Sequence, residues 1–177
     1  MAALGCLSFA VPALAQTNPP VGMRCSGGWF VTGYYTAAES EYAGTPVEIV
    51  VDGRRYAFPA DFLRKVRTDG WALTRHRWFL GWNKAWRRGG APLTARGKPL
   101  ALGSVAVDRR LVPLGTHIRI PDLPPPWNDR LFLADDIGGG IAGKRLDVYC
   151  GCGADKRPET LRLTGHGHVV CLGGGTV

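Results

Sequence analysis

The chain has 177 residues, and its 25 glycines and 13 prolines make up about a fifth of them. This share favours a loop-rich, mainly β domain over a helical bundle. With 45% hydrophobic and 20% charged residues, the composition argues against wholesale disorder. No segment reaches the ~18 consecutive apolar residues of a membrane-spanning helix, which argues against a membrane channel. The formal net charge is +8.

The N-terminus has the features of a secretion signal. Residues 1–15 carry no charge and end in Ala13-Leu14-Ala15, a small-x-small pattern typical of signal peptidase cleavage. We expect a signal peptide at 1–15, a polar tail at 16–28 and a mature domain at 29–177. The alternative is an apolar N-terminal strand or helix. Export predicts a periplasmic, secreted or cell-envelope location, with no integral membrane segment after cleavage.

The next part of the chain predicts a strand, a hairpin and a short helix. Residues 29–36 are aromatic and β-branched and favour a strand. The pair Asp52-Gly53 is typical of a two-residue hairpin turn between strands at 47–51 and 55–58. A proline followed by apolar residues three and four positions apart predicts a helix over 59–67.

Residues 68–97 are basic and aromatic and favour no single element. Between Arg54 and Arg96 there are eleven Lys or Arg against two Asp, interleaved with Trp71, Trp78, Trp82 and Trp86. Such a surface can bind nucleic acid, or an anionic envelope polymer whose sugars stack on indoles and whose carboxylates pair with Arg. The alternative is a solvated face with the Trp rings in the core. Export makes nucleic acid the least favoured partner.

The C-terminal part predicts short strands separated by turns, a pattern typical of a small barrel or sandwich. The predicted strands are 104–108, 116–120, 131–134, 145–149 and 169–172.

The densest chemical signal surrounds a glycine-rich turn at 138–143. One strand delivers Asp136 into the turn and the next carries Asp147 out of it. Glycines permit positive φ and leave backbone N–H groups open to a ligand. Two carboxylates brought together raise the pKa of one of them, which suits a general acid, and Asp108 can supply a third. The alternative is that these aspartates cap turns beside glycine.

The cysteines allow several arrangements. Without Cys6 four remain, which in an exported protein predicts up to two disulfides with three connectivities. Cys150 and Cys152 are alternate residues of a strand, which disfavours a bridge between them and leaves each able to pair with Cys25 or Cys171. Free thiols are one alternative. The other is a zinc site with two thiolates and two imidazoles, from Cys150, Cys152, His166 and His168.

The motifs together resemble a known family. Ala-Val-Asp108, Val112-Pro-Leu-Gly115, Asp136-x-Gly-Gly-x-Ile-x-Gly143 and Leu146-Asp147-Val-Tyr149 are similar to the three-aspartate (3D) domain, the catalytic portion of the membrane-bound lytic transglycosylase A family and of small stationary-phase cell-wall enzymes. The Thr-Gly-Tyr-Tyr segment at 32–35 and the closing strand at 166–172 extend the resemblance. It implies a double-psi β-barrel core with short helices, and the basic Trp-rich segment at about 45–96 is expected to be an insertion.

The resemblance implies cleavage of the β-1,4 bond between N-acetylmuramic acid and N-acetylglucosamine in peptidoglycan, without a metal or cofactor. Asp147 is the implied acid and base, and Asp136 would raise its pKa and bind sugar hydroxyls. The C6 hydroxyl of the muramoyl sugar attacks intramolecularly and leaves an anhydro sugar. The implied substrate-binding residues are Tyr35, Thr36, Asp108, Gly138, Gly139 and Lys144; of these, Asp108 would also order the loop, and the N–H groups near Gly138 and Gly139 would stabilise developing negative charge.

Two questions stay open at this point. The family commonly has Lys where Ala142 stands, so the role of that lysine is either absent in this chain or taken by Lys144. The short insertion, with Trp78, Trp82 and Trp86, is a candidate for the sugar-binding wall that a larger second domain forms in the membrane-bound enzymes. The rival function is a non-catalytic, expansin-like barrel that binds peptidoglycan glycan strands or assists other cell-wall enzymes.

Overall fold

The structure, a computed structural model, describes residues 22–173. The predicted signal peptide, Cys6 and the first residues of the predicted tail lie outside the described residues. The described chain forms two compact units. The barrel unit comprises residues 22–34, 93–150 and 157–173, and the small-sheet unit comprises Tyr35–Pro92 and Gly151–Lys156.

Strands predominate, and the two α-helices are short. In chain order the elements are β1 (Arg24–Thr36), β2 (Pro46–Val51), β3 (Arg54–Pro59), α1 (Ala60–Asp69), β4 (Trp71–Leu73), β5 (Phe79–Trp82), β6 (Trp86–Gly89), β7 (Ser104–Val107), β8 (His117–Arg119), β9 (Phe132–Asp136), β10 (Arg145–Cys152), α2 (Arg157–Leu163) and β11 (Gly165–Gly173). Single 3₁₀ turns lie at Glu39–Glu41 and Ala154–Lys156. Within residues 22–173, neither helix has the length and apolar character needed to cross a bilayer.

Six strands close into a barrel in the order β1-β10-β7-β9-β8-β11. The pair β7–β9 is parallel, whereas β7–β10, β8–β9, β8–β11 and β1–β11 are antiparallel. Apolar side chains from all six strands fill the interior, among them Val31, Val105, Ile118, Phe132, Leu146 and Val170. The prediction of a mainly β chain with a barrel and short helices is confirmed.

One disulfide joins the first and last barrel strands. Cys25 of β1 lies opposite Cys171 of β11, and the two are bonded. The pairing of Cys150 or Cys152 with one of these residues, which the sequence allowed, is therefore not formed, because the β1–β11 register already places Cys25 and Cys171 side by side. Cys150 is a buried thiol, and burial raises its pKa to about 12.

The small-sheet unit begins with the predicted hairpin and helix. β2 and β3 pair around Asp52 (φ 50°) and Gly53 (φ 75°), and positive φ at both turn positions is what a type I′ turn requires. Pro59 precedes α1, which buries Phe62, Leu63 and Val66 and is capped at its C-terminus by Gly70, at φ 88°.

The basic segment that favoured no element forms a three-stranded antiparallel sheet, β4-β5-β6. Ala72 and Leu80, which are paired across β4 and β5, are fully buried in the core of this unit together with Trp78. Arg88, opposite Leu80 on β6, is exposed at the edge of the same face. The tryptophans thus alternate with arginines in a sheet rather than in a loop.

Candidate active site

The two predicted catalytic aspartates lie in one row across the barrel. Ala106 of β7 pairs with Asp147 of β10 on one side and with Asp136 of β9 on the other. Adjacent strands are about 4.8 Å apart, so the two aspartate backbones lie about 10 Å apart. Directly paired residues project from the same face of a sheet, and the small Ala106 between the two carboxylates adds little bulk.

Asp147 is half-buried and held by a threonine. The hydroxyl Oγ1 of Thr32 donates a hydrogen bond to Oδ1 of Asp147 over 2.7 Å. Burial raises the pKa of Asp147 above its ordinary value, and the charge of Asp136 adds to this rise. The Thr32 hydrogen bond and the positive charge of Arg145 act in the opposite direction. The carboxyl therefore keeps its proton to a higher pH than an aspartic acid in water, while its ionised form also has partners.

Asp136 is fixed at both oxygens. The hydroxyl of Tyr34 donates to Oδ2 over 3.3 Å, and the backbone N–H of Ala95 donates to Oδ1 over 3.0 Å. Burial, and then the charges of Asp136 and Asp147, raise the pKa of Tyr34 far above its ordinary value, so this phenol stays a protonated donor. Tyr34 lies on β1 and Asp136 lies on β9, which is three strands away in the barrel order. The side chain of Tyr34 therefore crosses the row to reach Asp136.

A third carboxyl lies behind this row. The pairing of β7 with β9 steps from Val105–Ala134 to Ala106–Asp136, which leaves Asp135 as the extra residue of a β-bulge. Asp135 is 7% exposed, and Oγ of Ser104 donates to its Oδ2 over 3.0 Å. Its Oδ1 is buried and has no hydrogen-bond partner among the described residues. Burial raises the pKa of Asp135, and the neighbouring Asp136 also contributes.

Asp108 holds the end of the glycine-rich loop. Its carboxylate accepts two hydrogen bonds from the guanidinium of Arg110, and Oδ2 also accepts the backbone N–H of Gly143 over 2.9 Å. The Arg110 hydrogen bonds, followed by that of Gly143, hold the pKa of Asp108 far below its usual value. It is therefore ionised and unsuited to donating a proton. Its contact with a substrate stays a prediction.

The remaining predicted residues are more dispersed. Gly138 lies close to Ile141, whereas Gly139 is exposed and a methyl group there would meet nothing within 4 Å. The Nζ of Lys144 donates to the carbonyl of Gly27 over 2.9 Å and lies 6.0 Å from the ring of Trp29. Lys144 therefore extends to the start of β1, and its replacement of the family lysine stays a prediction.

The structure brings Tyr34 to the acidic row, a residue that the sequence did not single out. Thr32 and Tyr34 are two residues apart and share a face of β1, whereas Tyr35 lies on the opposite face. The hydroxyl of Tyr35 donates to Glu41 over 2.8 Å, and Thr36 is a buried residue; both belong to the small-sheet unit. Because strand residues alternate, the hydrogen bond between Thr32 and Asp147 places Tyr34 on the same side of β1 as the acidic row. The sequence does not show that Thr32 contacts Asp147, so it could not single out Tyr34.

The alternative zinc site is not formed. The ring of His166 stacks on Phe30 with centroids 4.0 Å apart, and Nδ1 of His168 lies 3.1 Å from Oδ1 of Asp122. In residues 22–173, no three or more His, Cys, Asp or Glu side chains are grouped so that they could hold a metal ion.

Comparison with known proteins identifies a domain family and a shared fold. Residues 103–172 match the 3D domain family, and no curated protein sequence matches the chain. The fold is similar to that of MltA from Escherichia coli (TM-score 0.61, 16% identity, 82% of this chain and 72% of that one). It is also similar to MltA from Neisseria gonorrhoeae (0.59, 13%, 85% and 73%) and to the lytic transglycosylase LtgG of Burkholderia pseudomallei (0.53, 16%, 84% and 73%). The chain therefore carries a 3D domain at residues 103–172, in a fold that most of its length shares with the MltA lytic transglycosylases.

Proposed function

We propose that this chain is a peptidoglycan lytic transglycosylase that acts in cell-wall turnover. It would cleave the β-1,4 bond between N-acetylmuramic acid and N-acetylglucosamine and leave a 1,6-anhydro sugar. The observation that carries the proposal is Asp147, a half-buried carboxyl with a raised pKa, placed in one row with Asp136 inside a 3D domain.

The surroundings of Asp147 suit a group that first donates and then accepts a proton. In its acid form it would protonate the glycosidic oxygen as the bond from that oxygen to C1 breaks. As a carboxylate it would then accept the proton of the C6 hydroxyl, whose oxygen forms the new bond to C1. Burial and Asp136 favour the first form, and Thr32 and Arg145 favour the second.

This scheme needs one carboxyl with two successive roles, unlike most glycoside hydrolases, which divide the roles between two carboxyls. Asp136 would raise the pKa of Asp147 and bind sugar hydroxyls, with Tyr34 as an additional hydroxyl donor. Backbone N–H groups near Gly138 and Gly139 would stabilise negative charge that develops in the reaction. Tyr35, Thr36 and Lys144 stay candidates for contacts with more distant parts of the glycan.

The wider features support the same reading. A solved structure of E. coli MltA holds bound chitohexaose, and a glycan of this kind is the class of ligand that we propose for this chain. We also propose that the closed barrel has the double-psi topology and that the protein acts in the periplasm or outside the cell, where the Cys25–Cys171 disulfide is stable.

The test is digestion of purified sacculi followed by mass spectrometry of the products. We expect 1,6-anhydromuropeptides from the wild-type protein and none from Asp147→Asn. Asp129→Asn removes an exposed carboxylate of the barrel unit and is the matched control. Asp136→Asn is expected to retain little activity and Asp108→Asn to lose loop order.

The other outcomes would contradict the proposal in different ways. Products that end in an ordinary reducing sugar, formed by addition of water at C1, would indicate a hydrolase. Binding to sacculi without products would indicate the non-catalytic, expansin-like module. Full activity of a folded Asp147→Asn would reject the assignment of the acid.

A further inference from the structure

Three arginines of the small-sheet unit are stacked on tryptophan rings. The Cζ of Arg67, on α1, lies 4.7 Å from the ring centroid of Trp82 and 5.1 Å from that of Trp86. The Cζ of Arg88 lies 5.4 Å from the ring of Trp78. In a third stack, the Cζ of Arg87 lies 4.6 Å from the ring of Trp71. All three arginines are exposed.

The indoles support these cations, and each indole is partly or wholly buried. Trp78 is a core residue that is 6% exposed. Trp82 and Trp86 are paired across β5 and β6, and their ring centroids are 4.6 Å apart. Trp78 is thus enclosed by the core of this unit, whereas Trp82 and Trp86 are half-buried beneath Arg67, and the stacking of sugars on these rings stays a prediction.

The arginines fall on two faces of the sheet. Trp86 and Arg88 are two residues apart on β6 and share the face of the sheet that packs on the core of this unit, and Arg67 lies over Trp86 on that face. Arg67 and Arg88 are both exposed, so they lie at the edge of this face. Arg87 projects from the opposite face. We call the surface formed by Arg67, Arg88, Trp82 and Trp86 the guanidinium face.

The charge of this face is not neutralised. Between Arg64 and Arg88 there are eight Lys or Arg and one acid, Asp69, and Asp69 pairs with Lys65. Arg75 pairs with Glu39. Neither Arg67 nor Arg88 forms an ion pair with any residue in the described part of the chain. An arginine held on an aromatic ring loses less side-chain freedom on binding, and its planar fork of N–H groups matches a carboxylate.

We propose that the guanidinium face binds the carboxylates of the peptides attached to the glycan strand. This inference rests on the proposed function, because peptidoglycan, the proposed substrate, carries such peptides on alternate sugars. Charge complementarity is the argument for this partner, since the face offers two preorganised cations on half-buried rings. Binding of the peptides here would retain the enzyme on uncut, peptide-bearing strands.

The experiment measures binding of the protein to intact sacculi by co-sedimentation. All proteins carry Asp147→Asn, so that cleavage does not alter the polymer. We expect Arg67→Gln/Arg88→Gln to bind about tenfold more weakly, a loss of about 1.4 kcal/mol. Arg87→Gln removes a stacked cation from the opposite face and is the control, with less than a twofold change expected. Circular dichroism verifies that each variant is folded.

Two further substrates identify the ligand. With sacculi whose carboxyl groups have been amidated, and with glycan strands stripped of peptides by an amidase, the two arginine variants and the parent are expected to bind equally. A tenfold loss that persists on either substrate overturns the proposal. So does equal weakening by Arg87→Gln, or a loss on phosphatidylglycerol vesicles or DNA as large as that on sacculi. Failure to form anhydro products would contradict the proposed function alone, because this binding is measured without turnover.

Discussion

Removal of the disulfide is expected to cost a large part of the stability of the barrel. The bond joins residues 146 positions apart and so closes a loop over nearly the whole described chain. The chain-entropy relation gives about 5 kcal/mol at 25 °C for a loop of this length. Domains of this size have total stabilities of about 5–15 kcal/mol. The double variant Cys25→Ser/Cys171→Ser should therefore lose about a third or more of the total stability.

The assay is urea unfolding followed by circular dichroism, with the free energy taken from linear extrapolation. Cys25 is exposed, whereas Cys171 is buried, so the serine at 171 adds the cost of a buried hydroxyl. Cys150→Ser is the matched control, because it places a serine at another buried position without removing the cross-link. We expect the double variant to lose at least 3 kcal/mol more than this control (about 2–5 kcal/mol is typical).

Two results would refute the reasoning. If the double variant and Cys150→Ser lost equal stability, the loss would come from burial of a hydroxyl and not from the cross-link. The second result is an m-value of the double variant equal to that of the wild type. The unfolded chain would then not have become more expanded on removal of the bond, and its entropy could not account for the stabilisation.

Three other perturbations have a defined direction. Thr32→Val removes a hydrogen bond to a charged group, of about 1.5–3 kcal/mol, so the pKa of Asp147 should rise and the alkaline limb of the pH–activity profile should move to higher pH. Burial raises the folded-state pKa of Asp135, so the ionisation of its carboxyl disfavours folding increasingly as pH rises above about 4. Asp135→Asn removes this effect, and the Tm of the variant relative to that of the wild type should therefore increase from pH 4 to pH 8. A methyl group at Gly33 would lie 2.7 Å from a backbone carbon of α2, so Gly33→Ala should lose about 1–3 kcal/mol in urea unfolding, whereas Gly27→Ala, with nothing within 4 Å, should lose less.

Local signals in the sequence predicted local structure well. The hairpin around Asp52-Gly53 and the helix after Pro59 are fixed by backbone preferences of a few neighbouring residues. The strands on either side of the glycine-rich loop were likewise predictable, because one apolar run ends at Ala134 before the loop and apolar residues resume at Leu146 after it. α2 has no such signal, since its seven residues are too few to establish a helical period.

The small sheet was unpredictable for a different reason. Its three strands have only three or four residues each, and arginines occupy positions that an alternating pattern would give to apolar residues. Gly81 and Gly89 have low strand propensity, yet the ring of Trp71 lies over both, and a methyl group at either would come within 2.6 Å of it. Packing of one large ring on two glycines therefore replaces the propensity that the sequence lacks.

The acidic row depends on pairing that no local pattern encodes. Asp135 and Asp136 are neighbours, and strand alternation says that one points inward and one outward without saying which. A regular continuation of the β7–β9 register would set Asp135 opposite Ala106 and would turn Asp136 to the other face. The bulge shifts the pairing by one residue, so Asp136 joins Asp147 beside Ala106 while Asp135 is buried on Ser104. The site therefore requires the bulge as well as the aspartates, and a sequence with the same three-aspartate motif but a regular β9 would lack the row.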